Sequence, residues 1–435
     1  MANEQFAFDT IKVRGGYDPK QHNNASSVPI YQTASYDLGD TKRVAKLFSF
    51  SEFGYLYTRI GNPTVAVLEQ RIAALDGAAG ALAVGSGMAA VTYTLLNLTE
   101  GGGRILTTPQ LYGGTIDSFK KIYPKFGIAI DQVENSADPD EFRKAIKPDT
   151  KAIYVETISN PNAVVADVET LANIAHKHGI PLVVDNTVAT PYLLNPIKYG
   201  ADIVVYSATK ALGGHGNAIA GLIVESGKFN WANGKFPHFL EPYHTLRDIN
   251  GKERNFLEVF PETPFLFRVR LNYLAYFGAA LSPTDAYLIL LGLETLSERV
   301  AKQVANTEKI VGYLEGQQGV SWIKHPAAKM SLYRQLAEKY LPKGAGSLLS
   351  FGFNGSNEQL DKFIDSVRIF SYQANLGDAR SLIINSPKTT HGELTPTEQK
   401  LADISPDTIR LSVGLEDAAD LIADLDQAFK KALAV

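Results

Sequence analysis

From Gly80 onward, short apolar runs alternate with stretches of helix length. The runs are Gly80 to Val84, Arg104 to Thr107, Ile128 to Val133, Ala152 to Val155, Pro181 to Val184, Asp202 to Tyr206 and Ala218 to Val224. Strands separated by helical crossovers predict a mostly parallel sheet covered on both faces, and so an α/β fold. Thr64 to Leu75 places apolar residues at 65, 67, 68, 72 and 75, a helical stripe that Asp76-Gly77 ends. Residues 1–62 lack such periodicity and read as an extended arm that needs another surface to order it. The alternation stops again over 228–281, an aromatic-rich insertion expected to pack internally or against another copy. Ser282-Pro283-Thr284-Asp285 then opens a helix predicted to run past Val311 to about Leu314. Strand-like Ser347 to Phe353 and Thr408 to Val413, with a terminal helix Ala418 to Leu433, predict a smaller α+β domain over 301–435, after a large domain over 63–300.

Composition narrows the chemistry. The 435 residues include no cysteine, which excludes disulfides, thiolate metal sites and a thiol nucleophile. With 42 basic and 46 acidic side chains scattered along the chain, the electrostatic footprint of a nucleic-acid binder is missing. The apolar stretch Leu271 to Leu296 is interrupted by Ser282 to Asp285, so no membrane span is expected, and the polar Met1 to Thr10 lacks the pattern of a secretory signal. A cytoplasmic protein is the expectation. His176 and His178 point to different faces of a helix, so no metal site is predicted.

Three segments carry candidate chemistry. Val84-Gly-Ser86-Gly87-Met88-Ala-Ala90 follows a strand and opens a helix with the spacing G-x-G-x-x-A, but the second strand ends in Thr108-Pro109-Gln110 without the acid a dinucleotide ribose needs. What remains is a close-approach turn with helix-terminal amides suited to a phosphate, or a turn that is only structural. Asp202 to Tyr206 is a strand ending in Ser207, Thr209 and Lys210, and Pro181 to Val184 ends in Asp185, one crossover earlier. Ligands of open α/β sheets sit beyond the carboxyl ends of strands. An acid, a lysine, two hydroxyls and a helix-borne phosphate site together meet the needs of pyridoxal phosphate.

The ordered motifs Tyr57-Thr-Arg59 with Gly61-Asn62-Pro63, Ser86-Gly87-Met88, Leu111-Tyr112-Gly113-Gly114, Glu156-Thr-Ile-Ser159-Asn160-Pro161, Asp185-Asn186-Thr187, Ser207-Ala-Thr209-Lys210 and Arg410-Leu-Ser412-Val-Gly414 resemble those of the Cys/Met-metabolism family of pyridoxal-phosphate enzymes. The resemblance covers nearly the whole chain and implies the fold-type-I, aminotransferase-like architecture. It implies pyridoxal 5'-phosphate attached covalently to Lys210, with Asp185 at the ring nitrogen and Ser86, Gly87, Met88, Ser207 and Thr209 at the phosphate. It further implies Tyr112 stacked on the ring and sharing proton transfer with Lys210, and Asn160 near the ring hydroxyl. Arg410 would hold the substrate carboxylate, with Tyr57 and Asn160 also facing substrate. In this family the residues matching Tyr57 and Arg59 reach the phosphate of a neighbouring subunit, which implies a homodimer or homotetramer with shared sites. The segment from Phe229 to Pro264 resembles the longer O-acetylhomoserine sulfhydrylase branch, implying γ-replacement on a small amino-acid substrate. Cystathionine γ-synthase and the γ-lyases are the alternatives, and a regulatory cofactor-binding protein is a remote one. Where the family often has a serine before Leu-Gly, this chain has Asn375, which puts a substrate-carboxylate contact there in question.

Overall fold

In the computed structural model, which describes residues 6–100, 102–248 and 250–434, a seven-stranded sheet forms the centre of the molecule. Its strands are β1 (Gly80–Val84), β2 (Arg104–Thr107), β3 (Ala129–Gln132), β4 (Thr150–Glu156), β5 (Leu182–Asp185), β6 (Ile203–Ser207) and β7 (Gly221–Glu225), in the spatial order β1-β7-β6-β5-β4-β2-β3. All neighbours are parallel except β7, which runs antiparallel to both β1 and β6. Alternate residues feed two cores: Val155, Val184 and Val204 face one, and Tyr154, Val183 and Val205 the other. That double burial is why these strands read as unbroken apolar runs.

Helices α1 (Phe8–Arg14) and α2 (Thr41–Phe48) show that the arm is not irregular throughout, although its first five residues lie outside the described residues. Local and long-range contacts supply what periodicity did not: Asp40 caps α2 by accepting from the amides of Lys42 and Arg43, and buried Lys12 of α1 bonds to Ser297 at 2.5 Å. Helix α3 (Pro63–Asp76) begins at Asn62, whose Oδ1 accepts from Thr64 N at 2.9 Å, and ends at Gly77 in the left-handed region. Helices α4 (Gly87–Thr99), α5 (Gly113–Lys121), α6 (Pro139–Ala145) and α7 (Val168–Lys177) complete the crossovers.

The aromatic insertion covers one face of the sheet: Trp231, Phe236, Phe239, Phe256, Phe260 and Phe265 all join the core beneath it. Glu225, the last residue of β7, anchors it by accepting from Trp231 Nε1 at 3.0 Å, Leu266 N at 3.0 Å and Phe265 N at 3.3 Å. It also contains a small hairpin, β8 (Tyr243–Arg247) and β9 (Glu253–Arg254). The helix predicted after Ser282 starts as expected, with Ser282 Oγ accepting from Asp285 N, but it is two helices, Pro283–Glu294 and Leu296–Leu314. The helical path breaks at Thr295, whose amide turns to Gly292 O at 3.3 Å, and Arg299 braces the break by donating to the same Gly292 O at 2.6 Å and, beyond the helix, to Ala211 O at 2.9 Å. The C-terminal sheet comprises β10 (Val320–Lys324), β11 (Leu348–Phe353), β12 (Ser371–Tyr372), β13 (Leu382–Asn385) and β14 (Thr408–Ser412), ordered β10-β11-β14-β13-β12 around its own core.

Candidate active site

Three parallel strands deliver their last residues to one mouth: Glu156 from β4, Asp185 from β5 and Ser207 from β6. Lys210 follows Ser207 by one turn, and β14 brings Arg410 across from the C-terminal sheet. They line a cavity of about 280 Å³ together with Ser86, Gly87, Met88, Tyr112, Asn160, Thr187, Thr209 and Asn375. A larger cleft of about 920 Å³ between the arm and α3 contains neither Lys210 nor either of these carboxylates, so size does not mark the chemical centre.

The start of α4 forms a phosphate cradle. Ser86 caps it by accepting from Ala89 N at 3.1 Å, leaving earlier amides of the first turn available to an anion. The approach is close on the β6 side, where a Cβ at Gly87 would lie 2.6 Å from Ser207 Cβ. Ser207 is itself set by its amide, which donates to Thr187 Oγ1 at 2.8 Å, and the Thr209 hydroxyl accepts from Ala220 N at 3.0 Å, which leaves its own proton for an anion or, as here, for the Ala220 carbonyl at 3.3 Å.

Below lie the two carboxylates, paired in register across β4 and β5. Asp185 accepts from Thr187 N at 2.9 Å and from Tyr154 OH at 3.3 Å. Burial raises the pKa of both carboxyls, and for Glu156 the charge of Asp185 adds to the rise. Glu156 was quoted in a motif but given no role by sequence reasoning. In the fold it accepts from Tyr112 N at 2.6 Å and Asn160 N at 3.1 Å, fixing the segments that carry Tyr112 and Asn160. Its signal was available as an acid directly after the buried run Ala152 to Val155.

Arg410 is buried, which pulls its pKa down to about 10. It donates from Nη1 to Asn160 Oδ1 at 3.0 Å and from Nη2 to Asn375 O at 2.6 Å, while its Nε has no partner among the described residues. An orphaned buried donor on a guanidinium is the signature of a site awaiting an anion. Asn375 meets Lys210 with its side chain: Lys210 Nζ donates to its Oδ1 at 2.5 Å. Burial, and then the charge of Arg410, lower the Lys210 pKa to about 8. A carboxylate at 375 would favour the ammonium, so Asn375→Asp is expected to raise that pKa and move the acidic limb of the kcat profile to higher pH, by roughly one unit or more. Superimposable profiles for wild type and variant would rule this out.

His391 is buried beside the segment that carries Tyr112, with its pKa lowered to about 4 by burial and its Nε2 3.4 Å from Leu111 O. Tyr57 and Arg59 do not join the cavity of their own chain. Both are exposed, with the Arg59 guanidinium 5.4 Å from the Tyr57 ring centre.

The donor set fits pyridoxal phosphate: a cradle of helix amides with Ser207 beside it, a buried carboxylate, an aromatic at the mouth and a lysine with a depressed pKa. The family model for Cys/Met-metabolism PLP-dependent enzymes matches residues 9–430. The chain belongs to this family. Among Cys/Met-metabolism enzymes it is 43% identical to O-acetyl-L-homoserine sulfhydrylase of Leptospira meyeri, over 98% of this chain and 97% of that one. It is 41% identical to homocysteine synthase of Schizosaccharomyces pombe, over 99% and 100% respectively. A solved Campylobacter jejuni protein assigned as an O-acetylhomoserine (thiol)-lyase, carrying a pyridoxyl-lysine phosphate, superposes with a TM-score of 0.92 at 37% identity, covering 98% of this chain and all of that one. These findings establish the family, the fold and the lysine-bound cofactor chemistry that the sequence resemblance implied. Among the described residues, no helix is long and apolar enough to cross a membrane.

Proposed function

We infer that the protein catalyses γ-replacement, converting O-acetylhomoserine and sulfide to homocysteine and acetate, with methanethiol as an alternative acceptor giving methionine. The reading rests on full-length identity to O-acetylhomoserine sulfhydrylases and homocysteine synthases, combined with a cavity that pairs a proton-carrying lysine with an anion-seeking arginine. Bound pyridoxal phosphate supplies an electron-withdrawing ring that stabilises negative charge next to the substrate's α-carbon. Ser86, Gly87, Met88, Ser207 and Thr209 would hold its phosphate, Asp185 a proton at its ring nitrogen, and Tyr112 and Asn160 its ring.

The remaining work belongs to the protein. Arg410 receives the substrate carboxylate on its free Nε edge, while Asn160 and the Asn375 carbonyl keep the guanidinium plane fixed. That orientation presents the α-hydrogen to Lys210, whose amine takes up the proton and later returns one. With a pKa near 8, a fraction of the free amine is neutral at neutral pH, which a solvated lysine would not provide. Asn375 holds Nζ within the cavity, and Tyr112 closes the mouth over it. Acetate leaves from the γ-carbon, and the thiol adds at the same carbon.

Exposed Tyr57 and Arg59 serve a second copy on this reading, in a cytoplasmic homodimer or homotetramer. Sedimentation should therefore find no fully active monomer. The function is tested by offering O-acetylhomoserine and O-succinylhomoserine with sulfide, methanethiol and cysteine and identifying the amino acid formed. Homocysteine with release of acetate is expected. Cystathionine as the main product, or a 2-oxo acid from methionine, would replace this reading with the synthase or lyase one.

A further inference from the structure

The insertion 228–281 has no task in the mechanism above, and neither has the π-helical turn Val269–Leu274 within it. Such turns are rare and concentrate at functional sites. This one carries Arg270, which donates from Nη1 to the Ile60 carbonyl at 2.6 Å and from Nη2 to Glu69 Oε2 at 2.7 Å. Glu69 accepts at its other oxygen from Ala83 N at 2.9 Å, in the strand that runs into the phosphate cradle. The two side chains are only 18% and 11% exposed, so water does little to weaken the pair. Arg268, two residues earlier, points elsewhere and donates to Asn97 Oδ1 at 2.6 Å near the end of α4. One helix therefore braces both the phosphate helix and the root of the arm.

A second attachment lies just upstream. Phe50 and Phe53 of the arm meet Phe260 at ring-centre distances of 5.7 and 6.3 Å, and Phe260 stacks on Phe267 at 3.6 Å. The two attachments bracket residues 54–59, the stretch containing Tyr57 and Arg59.

We propose that the insertion is a platform for the arm and that Arg270 is a positioning residue, holding residues 54–59 so that Tyr57 and Arg59 enter the phosphate end of a second copy's cavity. This rests on the reading that the site is shared between copies. The planar fork matters, because two nitrogens set apart in one plane meet the Ile60 carbonyl and the Glu69 carboxylate in fixed directions, whereas the compact ammonium of a lysine, on a flexible stem, fixes neither as well. The consequence is an effect in trans: without Arg270 the chain's own cradle keeps the Glu69–Ala83 and Arg268–Asn97 bonds, while the arm loses its hold at Ile60 and the neighbour's cavity is damaged.

The test combines Arg270→Ala and Arg270→Lys with amide hydrogen exchange, cofactor titration and co-expression with Lys210→Ala. In Arg270→Ala, exchange over 54–61 is expected to quicken at least tenfold and the cofactor to bind about tenfold more weakly, with Arg270→Lys between it and wild type. Alone, the Arg270→Ala and Lys210→Ala assemblies should be poorly active and inactive. Co-expressed, they should regain activity, since a mixed assembly has one site that combines an intact arm with an intact Lys210. Unchanged exchange in a folded Arg270→Ala protein, or no recovery in mixed assemblies, would overturn the proposal. Should Arg270→Ala not fold, Phe53→Ala, on the exposed arm side of the contact with Phe260, must give the same pair of results. If wild type failed to use O-acetylhomoserine with sulfide, the functional reading alone would fall, because exchange and cofactor affinity decide the role of Arg270 without it.

Discussion

Replacing Lys210 by alanine is expected to remove turnover altogether, with a loss on the order of 10⁴-fold or more, and with it the visible absorbance of lysine-bound cofactor. Two functions disappear with one nitrogen. Proton transfer by a positioned base contributes roughly 10²–10⁴-fold, and covalent anchoring of the cofactor is lost as well. No neighbour can replace the amine: the chain has no cysteine, and Arg410, the other cation lining the cavity, is engaged with Asn160 and Asn375 and stays protonated. The residues around Lys210 hold without its side chain, because Gly214 N bonds to the Lys210 carbonyl and Ala379 N to Gly214 O through the backbone alone. Circular dichroism should therefore find a folded protein. A folded variant that turned over, or stayed yellow, would remove Lys210 from the centre of the mechanism.

The second large effect is expected from Arg410→Lys. A lysine keeps the positive charge but presents one ammonium where the guanidinium spans Asn160, the Asn375 carbonyl and a free Nε edge. In a buried position the ammonium would be strongly desolvated, and it would stand near Lys210, whose pKa the present charge of Arg410 already lowers. The kcat/KM for O-acetylhomoserine should fall by roughly 10²–10³-fold, about 3–4 kcal/mol of transition-state stabilisation. Most of the change should appear in KM for the amino acid, with KM for sulfide little altered, since sulfide has no carboxylate. Equal losses in both KM values would mean a general collapse of the cavity instead of a missing carboxylate contact.

Asp185 and Lys210 were legible because one ends a buried strand and the other follows the end of its neighbour by a turn, and the geometry of an open α/β sheet says where such ends meet. Ser86, Gly87 and Met88 stood out as a strand, a glycine turn and a helix, a spacing that left a phosphate cradle and a turn that is only structural equally open. Glu156 occupies an equivalent place on β4 but received no role, since what it binds is backbone amides of Tyr112 and Asn160, and amides leave no trace in side-chain patterns. Asn375 was noticed only as a departure from the family. Its division of labour, side chain to Lys210 and carbonyl to Arg410, depends on a loop of the C-terminal part lying against the large sheet's mouth. Helix α2 escaped notice because it is only eight residues long and buries Leu47 alone, so an Asp40 cap and not a core-facing stripe holds it. The break at Thr295 was hidden because Arg299, four residues on, supplies the donors that make it tolerable.

By itself, then, the sequence determined the alternation of strands and helices, the absence of thiol chemistry and the inventory of groups around one lysine. These follow from local rules: periodicity is set by backbone geometry, and composition by what is not there. Tertiary structure decided which of those groups touch, that Arg410 keeps one donor free, and that the aromatic insertion lies beneath the sheet and grips the arm. Such facts join residues far apart in the chain, as Arg270 joins Ile60 and Glu69, and only packing brings them within hydrogen-bond reach.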